Sequence, residues 1–83
     1  MALFGNLERR HIGRGENRAS IALEVQFWQA ADRLAQGNCM TWTEWAEEQL
    51  SGKPDDIGRA SWLRVAILEA ALKVVVGNIT RPS

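Results

Sequence analysis

The stretch from Trp62 to Val76 sets the hardest condition on this chain. Placed at 100° per residue, Trp62, Leu63, Val65, Ile67, Leu68, Leu72, Val74, Val75 and Val76 point in almost every direction around a helix. Only Arg64 and a narrow face carrying Glu69 and Lys73 beside Trp62 and Ala66 interrupt them. A helix apolar nearly all round has to be covered on most sides. The chain has 83 residues, enough for one small domain. Two short helices cannot surround the third, so the missing cover should come from a partner chain. There is one cysteine, Cys39, and one histidine, His11. Neither an intrachain disulfide nor a four-ligand zinc site is available as a staple, which again points to an oligomer.

The elements upstream are readable from their periods. Residues 1–17 lack a usable period and carry Gly5, Gly13 and Gly15, which reads as a flexible basic arm with a joint before the domain. From Arg18 to Glu24 the chain alternates, with Ala19, Ile21 and Leu23 on one face and Arg18, Ser20, Ala22 and Glu24 on the other: a half-buried strand. From Glu24 or Val25, Phe27, Ala31 and Leu34 repeat at helical spacing, and Gly37 suits a left-handed C-terminal position. Thr41-Trp42-Thr43-Glu44 has the spacing of a capping box and opens a second helix from Trp42 to about Ser51. Gly52 to Asp56 is a turn. The third helix begins at about Ile57 or Gly58 and stops at Gly77-Asn78, leaving residues 78–83 as a tail. The domain is therefore residues 18–77, mostly α with one β-strand. A lone strand leaves backbone groups unpaired, at about 1–3 kcal/mol for each one buried. The simplest remedy is pairing with its own copy across a two-fold axis, as an antiparallel ribbon.

Charge is unevenly placed. The total is zero, with 10 basic and 10 acidic residues, but residues 1–18 carry +2 and the remainder −2. Basic arms of this kind touch nucleic acid or remain solvated. Met1 to Asn6 contains no apolar run of signal-peptide length, and Val65–Val76, broken by Glu69 and Lys73, is too short to cross a bilayer. The expectation is a soluble cytoplasmic protein with no membrane contact. No nucleophile or acid–base pair stands out, and Gly13-Arg14-Gly15 is too short for a phosphate loop, so neither enzyme chemistry nor a cofactor is expected.

Two blocks carry a family resemblance. Arg18-Ala19-Ser20-Ile21-Ala22-Leu23-Glu24 followed by Phe27-Trp28 resembles the opening of a bacterial ribbon-helix-helix subfamily. Ser61-Trp62-Leu63-Arg64-Val65-Ala66-Ile67-Leu68-Glu69 is similar to the block that closes it, and the likeness spans about residues 14 to 72. It implies an intertwined homodimer with a two-stranded antiparallel ribbon, here with an extra C-terminal helix, from a bacterium or phage. It further implies a transcriptional regulator that inserts the ribbon into the major groove of double-stranded DNA. Carried onto this sequence, the base-facing residues would be Arg18, Ser20 and Ala22, flanked by Arg14 and Asn17. The start of the second helix, Thr41, Trp42 and Thr43, would approach phosphate. The same dimer has an alternative use, because Glu44, Glu47 and Glu48 crowd that helix start and the net charge is zero. It would then be a protein-interaction module, such as an antitoxin or accessory subunit, with little DNA binding.

Three further readings follow from the residues. The tryptophans at helical spacing are packing groups, although Trp42 and Trp45, a turn apart, would make a protein-binding edge if solvent reaches them. Arg64 in an apolar arc needs a carboxylate, with Asp32, Glu44, Glu47 and Glu48 as candidates. His11 and Cys39 carry no argument for reactivity.

Overall fold

The computed structural model describes residues 6–13 and 15–80, with the side chains of Asn17 and of residues 75–80 outside that description. The chain forms a β-hairpin, β1 (Leu7–Ile12) and β2 (Ala19–Glu24), followed by α1 (Val25–Gly37), α2 (Trp42–Leu50) and α3 (Arg59–Thr80). It is thus mostly helical with a two-stranded antiparallel sheet. The sheet packs on α1 and α3, and α2 closes the helical side. Leu23, Trp28, Leu63 and Ile67 form the centre of the core, joined by Ile21, Ala31, Ala35, Trp45 and Ala46.

The strand expected at residues 18–24 is present as β2, and its alternation holds, with Ile21 and Leu23 buried and Ser20 exposed. Its partner differs from the expectation. Residues 7–12, read as part of a flexible arm, form β1 and pair with β2 within the same chain, Arg9 opposite Ala22 and Arg10 opposite Ile21. The reason β1 shows no hydrophobic period is physical. Its inward face is Glu8, Arg10 and Ile12, so two of three core-facing positions are charged. Those charges are matched on site. Arg10 donates from Nη1 and Nη2 to both Asp32 carboxylate oxygens, at 2.7 and 3.1 Å, and from Nε to Glu8 at 2.7 Å. Its guanidinium lies 4.8 Å from the ring centre of Trp28 and 5.0 Å from that of Trp42. The two rings meet edge to face at 5.6 Å. Trp28 Nε1–H donates to the Glu8 carbonyl at 2.7 Å. The Asp32 hydrogen bond, reinforced by Glu8, holds the Arg10 guanidinium charged, above its ordinary range, against the desolvation of partial burial.

Gly13 and Gly15 are not a loose joint but the turn of the hairpin, both at positive φ (87° and 58°). A 3-10 turn, Gly15–Asn17, completes it, with Arg18 N–H donating to Gly15 O at 3.2 Å. Arg14 lies outside the described residues. At the other end Val25 N–H donates to Asn6 O at 3.1 Å, one pair beyond the ladder. Bonded and non-bonded pairs alternate in an antiparallel ladder, so the backbone groups of Ser20 and Ala22 point to the open edge of β2.

The helices follow their caps. The Thr41–Glu44 capping box is formed, with Thr41 N–H donating to Glu44 Oε1 at 2.9 Å and Glu44 N–H to Thr41 Oγ1 at 3.2 Å. At the end of α1 the left-handed residue is Cys39 (φ 58°), not Gly37. Met40 N–H reaches Ala35 O at 2.9 Å and Cys39 N–H reaches Gln36 O at 3.1 Å. That is the hydrogen-bond pair of a Schellman motif, with Met40 packed on the core. Helix α3 passes through Gly77-Asn78 and ends at Thr80. One helical glycine costs only about 1 kcal/mol, so Gly77 does not stop the helix.

Candidate nucleic-acid interface

The hairpin gives each strand two unlike faces. Residues directly across an antiparallel pair share a face. The register therefore places Leu7, Arg9 and His11 of β1 beside Glu24, Ala22 and Ser20 of β2, on the side away from the core. Arg9, His11, Ser20 and, just before the strand, Arg18 are exposed, and Ala22 is half-buried. Arg9 Nη1 donates to Ser20 Oγ at 3.2 Å, which ties the two strands across this face. Among the described residues no carboxylate pairs with Arg9, His11 or Arg18.

The acidic member of the face, Glu24, is taken out of play by α3. Arg64 donates from Nε to Glu24 Oε1 at 2.9 Å and from Nη2 to Oε2 at 3.3 Å. That hydrogen bonding holds the Glu24 carboxyl below the usual carboxylate range. The partner of Arg64 is thus Glu24 and none of the four candidates read from the sequence; Asp32 is occupied by Arg10. With Glu24 neutralised, the formal charge on the outer face is that of Arg9 and Arg18.

The structure brings together Arg18, Ser20 and Ala22 of the expected site residues. It adds Arg9 and His11, which sequence reasoning had left in the arm. Their signal was available only as a second alternation, Leu7/Arg9/His11 against Glu8/Arg10/Ile12, without a hydrophobic face to mark it. Asn17 sits in the turn beside Arg18, its side chain outside the description. Thr41, Trp42 and Thr43 do not join this face. Trp42 lies under the opposite side of the sheet against Arg10 and Trp28. The helix start is already met by the Glu44 carboxylate, whose hydrogen bond from Thr41 N–H holds it below the usual carboxylate range. Trp45 is 3% exposed, so it forms no aromatic edge with Trp42.

Among the described residues no group of His, Cys, Asp and Glu is placed to hold a metal ion, and no helix is long and apolar enough to cross a membrane. No protein-family model matches the chain, and neither curated proteins nor solved structures give a match.

Proposed function

We propose that this chain is a homodimeric ribbon-helix-helix regulator that binds double-stranded DNA and presents a β-ribbon to the major groove. The observation that supports it is the outer hairpin face, where exposed Arg9 and Arg18 bracket Ser20 and Ala22 and the one strand carboxylate among the described residues of that face, Glu24, is paired with Arg64. A two-stranded ribbon fits the major groove, and arginine is the side chain best suited to guanine edges and to phosphate. β1 fills one edge of β2. The other edge of β2 carries the outward backbone groups of Ser20 and Ala22. Regulation would follow from operator occupancy, with phosphate contacts setting register and the ribbon reading bases.

The test is a fluorescence anisotropy titration with duplex DNA of random sequence at about 50 and 200 mM salt. Arg9→Ala and Arg18→Ala should each weaken binding and lower the salt slope by about 1, with the circular dichroism unchanged. Wild-type affinity and slope in both variants would exclude this face. A second reading is favoured by the exposed Glu44, Glu47 and Glu48 on α2. They suit a protein partner, in an antitoxin or accessory-subunit role, and absence of DNA binding at the lower salt would favour that reading instead.

A further inference from the structure

Supplying β2 with a partner inside the chain moves the demand for a second chain from the strand to α3. The core side of α3 is set by Leu63 and Ile67, both buried. Val65, Leu68 and Leu72 point the other way, roughly 150° round the helix at 100° per residue. They are 55%, 53% and 53% exposed. Their spacing is three then four residues, and Val75 and Ile79 continue it in the sequence. That 3–4 spacing is the repeat of a two-helix seam, in which each apolar side chain enters a hole on a facing helix. At 22 residues, α3 is long enough for about three heptads.

The flanks of the seam say what covers it. Arg64 lies on one side and Glu69 on the other, about equally far round the helix from the Leu68–Leu72 line. In a parallel, in-register pair the residue on one flank faces the residue five positions on along the opposite flank of the partner helix. That sets Arg64 of each chain against Glu69 of the other, twice over by symmetry. Nε and Nη2 of Arg64 are used on Glu24, while Nη1 has no partner among the described residues. Glu69 is exposed and has none either. The antiparallel arrangement instead sets like flanks together, so it does not bring Arg64 of one chain to Glu69 of the other. An adjoining cavity of 240 Å³, lined by Phe27, Ala30, Leu68 and Ala71 among others, leaves room for the incoming side chains.

We infer that α3 is a homodimerisation helix, its outer Val65–Leu68–Leu72 stripe paired in parallel with the same stripe of a second copy. This rests on the dimeric part of the reading above but is independent of DNA binding, and it places the joint on α3 rather than at the edge of β2. The experiment is sedimentation equilibrium of the full chain at micromolar concentration. Wild type should be dimeric. Leu68→Glu and Leu72→Glu should each weaken the dimer roughly a hundredfold or more while keeping the helical circular dichroism, because both side chains are exposed in the single chain. In a Cys39→Ser background, Leu68→Cys should give a disulfide-linked dimer on mild oxidation and Lys73→Cys, on the polar face, should not. A monomeric wild type overturns the inference. So does a dimer that survives both glutamate substitutions, or one that forms no cross-link at position 68. A dimer abolished by Ala22→Pro yet intact in Leu68→Glu would put the joint at the strand edge instead. Arg9→Ala should leave the sedimentation unchanged, so loss of DNA binding and loss of the dimer are read separately.

Discussion

Arg9 and Arg10 are adjacent and chemically the same, yet the pleat of β1 sends them to different solvents. Arg10 turns inward to two carboxylates and lies against the rings of Trp28 and Trp42, its side chain 20% exposed. Arg9 turns outward, its guanidinium hydrogen-bonded only to the Ser20 hydroxyl among the described residues. The inner face is a set of matched charges that fastens the hairpin to α1. The outer face keeps its positive charge unspent. A guanidinium held in a satisfied network is structural, and one left in water on the same face as a second arginine is available to a ligand.

That contrast is open to measurement. The largest effect should come from Trp28→Ala, which removes a buried ring, the Glu8 carbonyl bond and one wall of the Arg10 site. It should cost about 3–5 kcal/mol in urea unfolding, enough to unfold a domain of marginal stability. Arg10→Ala should cost about 2 kcal/mol, from lost ring contacts and from Asp32 left without its partner. Arg9→Ala should change stability by less than about 0.5 kcal/mol, so equal losses for the two arginines would dissolve the distinction between the faces. Cys39→Gly should stabilise by about 0.5–1 kcal/mol, because glycine takes the left-handed position of the Schellman turn without a Cβ penalty. A lower unfolding midpoint would mean that the cysteine side chain matters more than its backbone.

The smallest effect concerns pH. Glu24 has a folded-state pKa below its ordinary value because of Arg64. Its contribution is therefore present above the unfolded carboxyl value of about 4.3 and is lost as pH falls through the lower folded value. Glu24→Gln should flatten that part of the acid slope of the unfolding midpoint. An identical slope in wild type and variant would show that the Arg64 pair carries none of it.

What could be read from the sequence follows from what leaves a local mark. β2 was legible because Ile21 and Leu23 alternate with Ser20 and Ala22, and the start of α2 because the Thr41–Glu44 spacing is itself the bond. β1 was not, since Glu8 and Arg10 face the core and it takes Trp28, Asp32 and Trp42, far along the chain, to make that acceptable. The choice of Glu24 by Arg64 spans 40 residues and depends on how α3 crosses β2. Cys39 took the left-handed position because α1 runs to Gly37 and Met40 has to reach Ala35. Of the candidate site, the β2 half was visible and the β1 half was hidden by its missing hydrophobic face.

The inward charges of β1 also bear on the order in which the molecule is assembled. Synthesis runs from the N-terminus, so Glu8 and Arg10 leave the ribosome before Trp28, Asp32 and Trp42 exist. Until then the first strand has no apolar surface worth collapsing and stays hydrated, which protects it from wrong associations. It cannot be set in place before those partners exist, although it is the first to be made.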